Sequence, residues 1–493
     1  MALLILAILG VYALVMAVFL ISENRRPQAT LAWLLSFVFL PGLGLLIYLL
    51  FGRGRRAFSR ASKLLRQELE PHSRPLLQPI MARQDAAMRQ IEELTVAHRK
   101  LMKLIRRNSQ SALTVNNCVD ILQDAAAFYP RLVDDVKQAT HSIHFQYFTW
   151  RSDAFTEQMA EILAAKVREG VSVRILYDPI GSQETTRAYW NKLRAAGVQV
   201  APTTPAYWLH TISYRNHRKI TVIDGVIAYT GGMNIGHEHL DGGDGFDCWR
   251  DTQVRIVGEA AAVLQSVFMV DWYNAVKEDL FCAEYYPCTD PASAAEASSK
   301  AQRDGEHSEG NVPVQILTSG PDSRWAAIRQ LYTNMIMSAE HHVVLQSPYF
   351  VLDSRIAEAL TSAALSGVDV KVMLSARPSG NRLPAWAGNT YMAEIVRSGV
   401  RVFLYDRGYL HAKTISIDSQ ICSIGSANID IRSFSINYEV NAVLYSSALA
   451  ARLEQDFERD LLGCHEFDVA AYAKLPALER FRDSVARLLS PLL

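Results

Sequence analysis

Three kinds of hydrophobic pattern follow one another along the chain. Residues 1–21, MALLILAILGVYALVMAVFLI, carry no charge, and ATLAWLLSFVFLPGLGLLIYLLF (29–51) is a second apolar run. Each is long enough to cross the ~30 Å of bilayer hydrocarbon as a helix. A polar stretch follows, within which MARQDAAMRQIEELTVAHRKLMKLIRR (81–107) has the spacing of an amphipathic helix. Beyond it, a unit of helix, Gly-Val and apolar strand recurs: KVREGVSVRILYD (166–178), LRAAGVQV (193–200), AALSGVDVKVMLS (363–375) and IVRSGVRVFLY (395–405). Glycine ends each helix and a β-branched run follows, which is the αβ step of an α/β domain.

Between these steps lies NHRKITVIDG (216–225), a strand pattern headed by polar residues. Alternation along a strand puts His217 and Lys219 on one side and Arg218 on the other. Asp224-Gly225 is a hairpin signal, and a two-residue turn there sets Lys219 opposite Thr230 and His217 opposite Gly232, with Asn234 just beyond. The arrangement occurs twice. In YLHAKTISIDSQICSIGSAN (409–428), His411, Lys413, Asp418, Gly425, Ser426 and Asn428 each lie 194 residues beyond His217, Lys219, Asp224, Gly231, Gly232 and Asn234. Upstream, HSIHFQYF (141–148) answers HHVVLQSPYF (341–350). Such a duplication predicts two copies of one α/β domain, packed about a pseudo-twofold axis that brings both His-Lys-Asn sets together.

The doubled H-x-K-x4-D-x6-G-[GS]-x-N motif resembles the phospholipase D superfamily, and within it the bacterial cardiolipin synthases. RNHRKITVIDG, CWRDTQVRIVG, LHAKTISID, IDIRSFSINYEV and ENRRPQATLAWLL carry the likeness across nearly the whole chain. The implied fold class is α/β: two tandem phospholipase D-like α/β/α sandwich domains after an N-terminal pair of transmembrane helices. The expected boundaries are a transmembrane hairpin over 1–56, a basic juxtamembrane segment over 57–112, domains over 113–284 and 312–493, and a flexible linker over 285–311.

Charge and cysteine content refine this picture. The 493 residues balance 50 Lys and Arg against 50 Asp and Glu, yet residues 53–107 hold a surplus of nine positive charges, so the remainder is acidic. An acidic catalytic part argues against a nucleic-acid partner. The loop SENRRPQ carries two arginines while six Lys or Arg follow the second span by residue 66. That asymmetry predicts both ends of the hairpin on the cytoplasmic side of a bacterial inner membrane. The first span has no basic head or small-x-small cleavage site, unlike a secretory signal. The basic stretch is expected either to adsorb to anionic headgroups or to be a solvated linker helix. Six scattered cysteines show no CxxC and no histidine at zinc spacing, and the acidic loop HEHLDGGDGFD (237–247) fits no calcium loop, so neither metal nor cofactor is expected.

A phosphodiester repels nucleophiles and has a poor leaving group, so its cleavage calls for cations, a nucleophile and a proton donor. Lys219 and Lys413 supply the charge, and Asn234 and Asn428, at expected helix starts, supply neutral donors. The resemblance implies that one imidazole attacks phosphorus and the other protonates the leaving oxygen, His217 being the nucleophile and His411 the acid. It also implies that Asp251 and Glu439, which follow their histidines by 34 and 28 residues, orient them. Asp224 and Asp418 complete the catalytic motif by resemblance, but at the hairpin turns they read as structural, charge-balancing groups. The implied reaction joins two phosphatidylglycerol molecules into cardiolipin and glycerol. Water as acceptor, or phosphatidylethanolamine as donor, is the alternative. One departure stands out: SARPSGNR (375–382) lacks the acidic residue that the resemblance leads one to expect there.

Overall fold

The computed structural model describes residues 2–22, 27–40, 42–44, 48, 72, 74–89, 91, 96–204, 214–243, 245–304 and 308–490. At the N-terminus, helices Ala2–Ser22 and Pro27–Phe39 pack together, Leu20 and Phe37 closing over Tyr48. Beyond Phe39, Gly42 takes a φ of 84°, a left-handed break in the helix; residues 41, 45–47 and 49–51 of the second predicted run lie outside the described residues. Among the described residues no helix is long and apolar enough to cross a membrane.

The two repeats fold alike. The first builds a seven-stranded sheet in the order Asn117–Gln123, Thr252–Gly258, Ile227–Gly231, Ile220–Ile223, Ser142–Tyr147, Ser172–Tyr177, Gln199–Pro202. The second lays down the same order with Val314–Ser319, Glu439–Leu444, Ile421–Gly425, Thr414–Ile417, His342–Ser347, Asp369–Ser375 and Arg401–Tyr405. Two short strands extend its edges, Leu113–Thr114 at one end and Cys464–Glu466 at the other. The predicted αβ steps are present: helices Ala154–Arg168 and Ser354–Leu365 lead through Gly170 and Gly367, each at a φ of 93°, into the parallel strands.

Each sheet packs helices on both faces. On the outer face of the first, Phe128, Leu132 and Leu163 from helices cover Phe145 and Ile175. The inner faces meet in one shared core, with Val222, Val254 and Ile256 of the first repeat against Ile316, Ile424 and Val440 of the second. Helices Glu259–Val276 and Ser447–Leu461 flank that core, contributing Leu264 and Leu453.

Three expectations need correction. The hairpin turns carry one residue more than predicted. Asp224 and Gly225 do take left-handed φ values of 53° and 67°, but Val226 is bulged out, so Ile223 pairs with Ile227 and Ile220, not Lys219, faces Thr230. The second turn repeats this, Asp418 and Ser419 being left-handed and Ile417 pairing with Ile421. The presumed flexible linker contains a 14-residue helix, Pro291–Asp304, capped by Asp290 and seated on the first repeat through Ala297 and Ala301. Its buried stripe is alanine, too small to register as an apolar period. Finally, the amphipathic basic segment turns its apolar face inward: in helix Val96–Ser109, Leu101, Met102 and Ile105 lie in the core of the second repeat, beside Leu331 and Met335. Residues 51–71, with six of the fourteen basic residues of 53–107, lie outside the described residues.

Asp224 and Asp418 each clamp a turn to the neighbouring strand. The Asp224 carboxylate accepts the backbone N–H groups of Thr140, His141 and Ser142, all at 2.8 Å. Asp418 accepts those of Glu340, His341 and His342 at the same distance. Replacing Asp418 by Ala should therefore lower stability by about 1–3 kcal/mol, while folded protein keeps its turnover. Thermal unfolding together with specific activity checks this: lost turnover at unchanged melting temperature would put the carboxylate in the chemistry.

Candidate active site

Both His-Lys pairs stand at the entry to the first strand of a hairpin, His217 and Lys219 before Ile220–Ile223 and His411 and Lys413 before Thr414–Ile417. Their backbones are held from across the repeat interface. The N–H of His217 donates to the carbonyl of Tyr438 at 2.9 Å, and that of His411 to Arg250 at 2.7 Å. Tyr409–Leu410 pairs with Trp249–Arg250, and Asn216 bridges to Tyr438. Contacts of residue to partner and partner to residue are what a pseudo-twofold relation produces.

The orienting carboxylates cross the same interface. Nδ1 of His217 meets Glu439 at 3.0 Å, and Nδ1 of His411 meets Asp251 at 2.7 Å. The sequence had suggested the reverse, each carboxylate serving the histidine of its own repeat. Asp251 and Glu439 lie where the inner strands begin, and from there they point into the partner repeat. A proton on Nδ1, donated to the carboxylate, leaves Nε2 of each imidazole to face an incoming group, as a lone pair in the neutral ring or an N–H donor in the protonated one.

The two pairs are not identical, and the difference is compensated. A Cβ on Gly232 would sit 2.0 Å from Asp251 Oδ1, so only glycine fits there. At the equivalent Ser426 the partner is the longer Glu439, and the serine hydroxyl donates to Glu439 Oε2. The alternation of Gly and Ser in the motif thus follows the length of the facing carboxylate.

Both lysines are fully enclosed, with exposures of 0 % for Lys219 and 1 % for Lys413. Lys219 Nζ donates to the carbonyl of His217 at 2.7 Å and lies 5.4 Å from the centroid of the Phe148 ring. Lys413 Nζ donates to the carbonyl of His411. Burial pulls their pKa values down, Lys219 to about 7 and Lys413 to about 8, although Glu439 and Asp251 favour the ammonium forms. Burial also lowers both imidazoles. Glu439 offsets this at His217, whereas at His411 the ammoniums of Lys413 and Lys219 add to it. Burial opposes ionisation of Glu439, but His217 and Lys219 outweigh it and hold its carboxyl below the usual range. Asp251 is shifted upward, chiefly by burial.

Asn234 and Asn428 are present but do not start helices; the nearest helices begin at Glu238 and Ile431. Asn234 Oδ1 accepts from the Thr149 N–H at 3.2 Å, which leaves its NH2 group as a donor. Asn428 Oδ1 is buried with no hydrogen-bond partner in the protein. The loop weighed for a metal contributes something else, a third histidine. His239 is 2 % exposed, its ring centroid lies 6.1 Å from that of His411, and its Nε2 accepts the Asn234 N–H at 3.3 Å. Its Nδ1 is buried without a partner, and burial holds its pKa near 3, so it is neutral. The repeat offset could have found it: 194 residues on stands Ser433, whose hydroxyl accepts the Asn428 N–H.

Two α/β repeats that share one core and converge on paired His, Lys and carboxylate groups define a phospholipase D-type fold and site. Comparison with known proteins narrows the class. A family described as "Cardiolipin synthase, PLD-like domain" matches residues 132–272 and 332–461, and one described as "Phospholipase_D-nuclease N-terminal" matches residues 6–53. Cardiolipin synthase of Oceanobacillus iheyensis is 36 % identical over 96 % of this chain and 95 % of its own length. Major cardiolipin synthase ClsA of Bacillus subtilis is 34 % identical over 99 % of each. Among solved structures, phosphatidylserine synthase of Haemophilus influenzae aligns with a TM-score of 0.59 at 15 % identity, covering 80 % of this chain and 100 % of that one, a likeness of fold. The chain belongs to the bacterial cardiolipin synthase family.

Two outcomes test the geometry. With a donor carrying a good leaving group, the proton donor becomes dispensable and the nucleophile does not. On the crossed pairing, Glu439→Gln should mimic His217→Ala and Asp251→Asn should mimic His411→Ala: each loses on the order of 10²–10⁴ on the natural donor, and on the activated donor only the pair that serves the nucleophile keeps that loss. Matching within repeats would refute the pairing. Secondly, the lysines must be charged to hold a phosphoryl group, so kcat/KM should decline as pH rises through about 7 to 8. Lys219→Arg, whose guanidinium keeps its charge, should move that decline upward, toward the value of about 8 for Lys413. An unmoved limb would assign it to other groups.

Proposed function

We propose that this chain transfers a phosphatidyl group from one phosphatidylglycerol to the hydroxyl of another, giving cardiolipin and free glycerol through a phosphohistidine. Nε2 of His217 attacks phosphorus, the bond to the glycerol headgroup breaks, and His411 gives its proton to the departing oxygen. The hydroxyl of the second phosphatidylglycerol then loses its proton to His411 and attacks phosphorus. The P–N bond breaks, and His217 returns to its starting form. Lys219 and Lys413 hold the non-bridging oxygens, Asn234 and Asn428 add neutral contacts, and Glu439 and Asp251 keep the imidazoles aligned. The steps need no metal or cofactor.

The observation that carries this reading is the pairing of each Nδ1 with a fully buried carboxylate, beside two buried lysines, in a chain related over its full length to cardiolipin synthases. Membrane attachment fits it: the uncharged run 1–21 and the apolar span 29–51 are read as a hairpin with both ends cytoplasmic, presenting the catalytic repeats to the inner leaflet. Purified enzyme given phosphatidylglycerol alone should release cardiolipin and glycerol in equal amounts. Phosphatidic acid as the main product would mark a hydrolase instead. His217→Ala and His411→Ala should each abolish transfer in folded protein, and the double variant should be no worse than either single one. Near-normal turnover in one of them would end the shared-site mechanism.

A further inference from the structure

The helix Ala477–Leu488 is amphipathic in the inverted sense. Its inward face is polar. Asp483 is fully buried, accepting from Asn389 at 2.9 Å and pairing with Arg482 at 2.7 Å, while Arg482 and Arg487 lie over the rings of Trp386 and Tyr391. Its outward face is apolar. Leu478, Phe481, Val485 and Leu488 are 79 %, 66 %, 40 % and 79 % exposed. Their spacing of three, four and three residues sets them in one stripe opposite Asp483. Arg480 on the same helix and Lys474 just before it are exposed. A shallow groove beside the stripe, lined by Phe481, Val485 and Leu488, continues to Ile431, three residues from the active-site Asn428.

We propose that this stripe is a docking surface for the anionic membrane leaflet: the four apolar side chains enter the acyl boundary, Lys474 and Arg480 meet the headgroups, and the second repeat's side of the active site is brought against its lipid substrate. A bilayer fits better than a second copy of the chain. A 12-residue helix is roughly 18 Å long and 10 Å across, whereas a stable protein interface buries about 800 Å² per partner. Cations beside an apolar stripe are the pattern of helices that lie in an anionic interface.

The proposal rests on the lipid reaction above, and the test keeps the two apart. In the full chain, p-benzoylphenylalanine in place of Phe481, irradiated in vesicles of phosphatidylglycerol and phosphatidylcholine, should attach to lipid. Adducts within the chain or to a second copy would overturn the proposal, as would no adduct. The Leu478→Ser, Phe481→Ser double variant should lose at least about tenfold in cardiolipin formation on vesicles while matching the parent on detergent-dispersed phosphatidylglycerol. Equal rates on vesicles, or equal losses on both substrates, would also overturn it, the latter because the stripe would then be serving the fold. A parent enzyme that makes no cardiolipin on either substrate would instead overturn the reaction.

Discussion

An imidazole in each repeat reaches a carboxylate in the other, and the rest of the molecule is arranged to hold those two contacts at hydrogen-bond length. Glu439 and Asp251 are fully buried, so each would lose a hydrogen-bond donor to its carboxylate without its imidazole partner. Leaving such a buried acceptor short of a donor costs about 1–3 kcal/mol. Neither repeat supplies its own partner, so an isolated repeat would hold a buried carboxylate facing no histidine. The shared apolar core, the reciprocal backbone bonds at His217 and His411, and the paired segments 249–250 and 409–410 fix the register in which both contacts close.

Burial gives the site its chemical character. Lysines enclosed this deeply lie near the boundary between charged and neutral forms. A phosphodiester adds negative charge beside them and so favours the ammonium. Substrate binding and protonation of the lysines are thereby coupled. The carboxylates behave differently from each other because their surroundings differ: Glu439 receives the Ser426 hydroxyl as well as the imidazole, whereas Asp251 faces the bare Cα of Gly232. Near-symmetric sequence motifs thus yield two inequivalent half-sites.

Much of the architecture was legible in the sequence because the duplication preserves spacing. The 194-residue offset located both hairpins, both lysines and both asparagines. Aspartate at a turn with left-handed residues was readable as structural. Spacing along the chain says nothing, however, about which repeat a side chain leans toward, and for that reason the carboxylates were assigned to the wrong histidines. The bulges at Val226 and Gln420 were hidden because a two-residue turn and a turn with one added residue share the same left-handed signal. His239 was obscured by its neighbourhood: an acidic, glycine-rich loop invited the question of a metal, while the residue itself turns inward to the Asn234 backbone.

The packing of helix Val96–Ser109 against the second repeat has a consequence for how the chain is made. Asn108 hydrogen-bonds Gln330, 222 residues further on, and the Thr114 hydroxyl reaches the carbonyl of Val314, 200 residues on. At roughly 5–20 residues per second, a ribosome needs on the order of 10–45 s to supply those partners. For that interval Leu101, Met102 and Ile105 have no core to enter, while the first repeat, lying between, can already complete its own sheet. The nascent enzyme therefore passes through a stage with a finished first sheet and an unsatisfied apolar helix beside it, until the second repeat emerges and covers it.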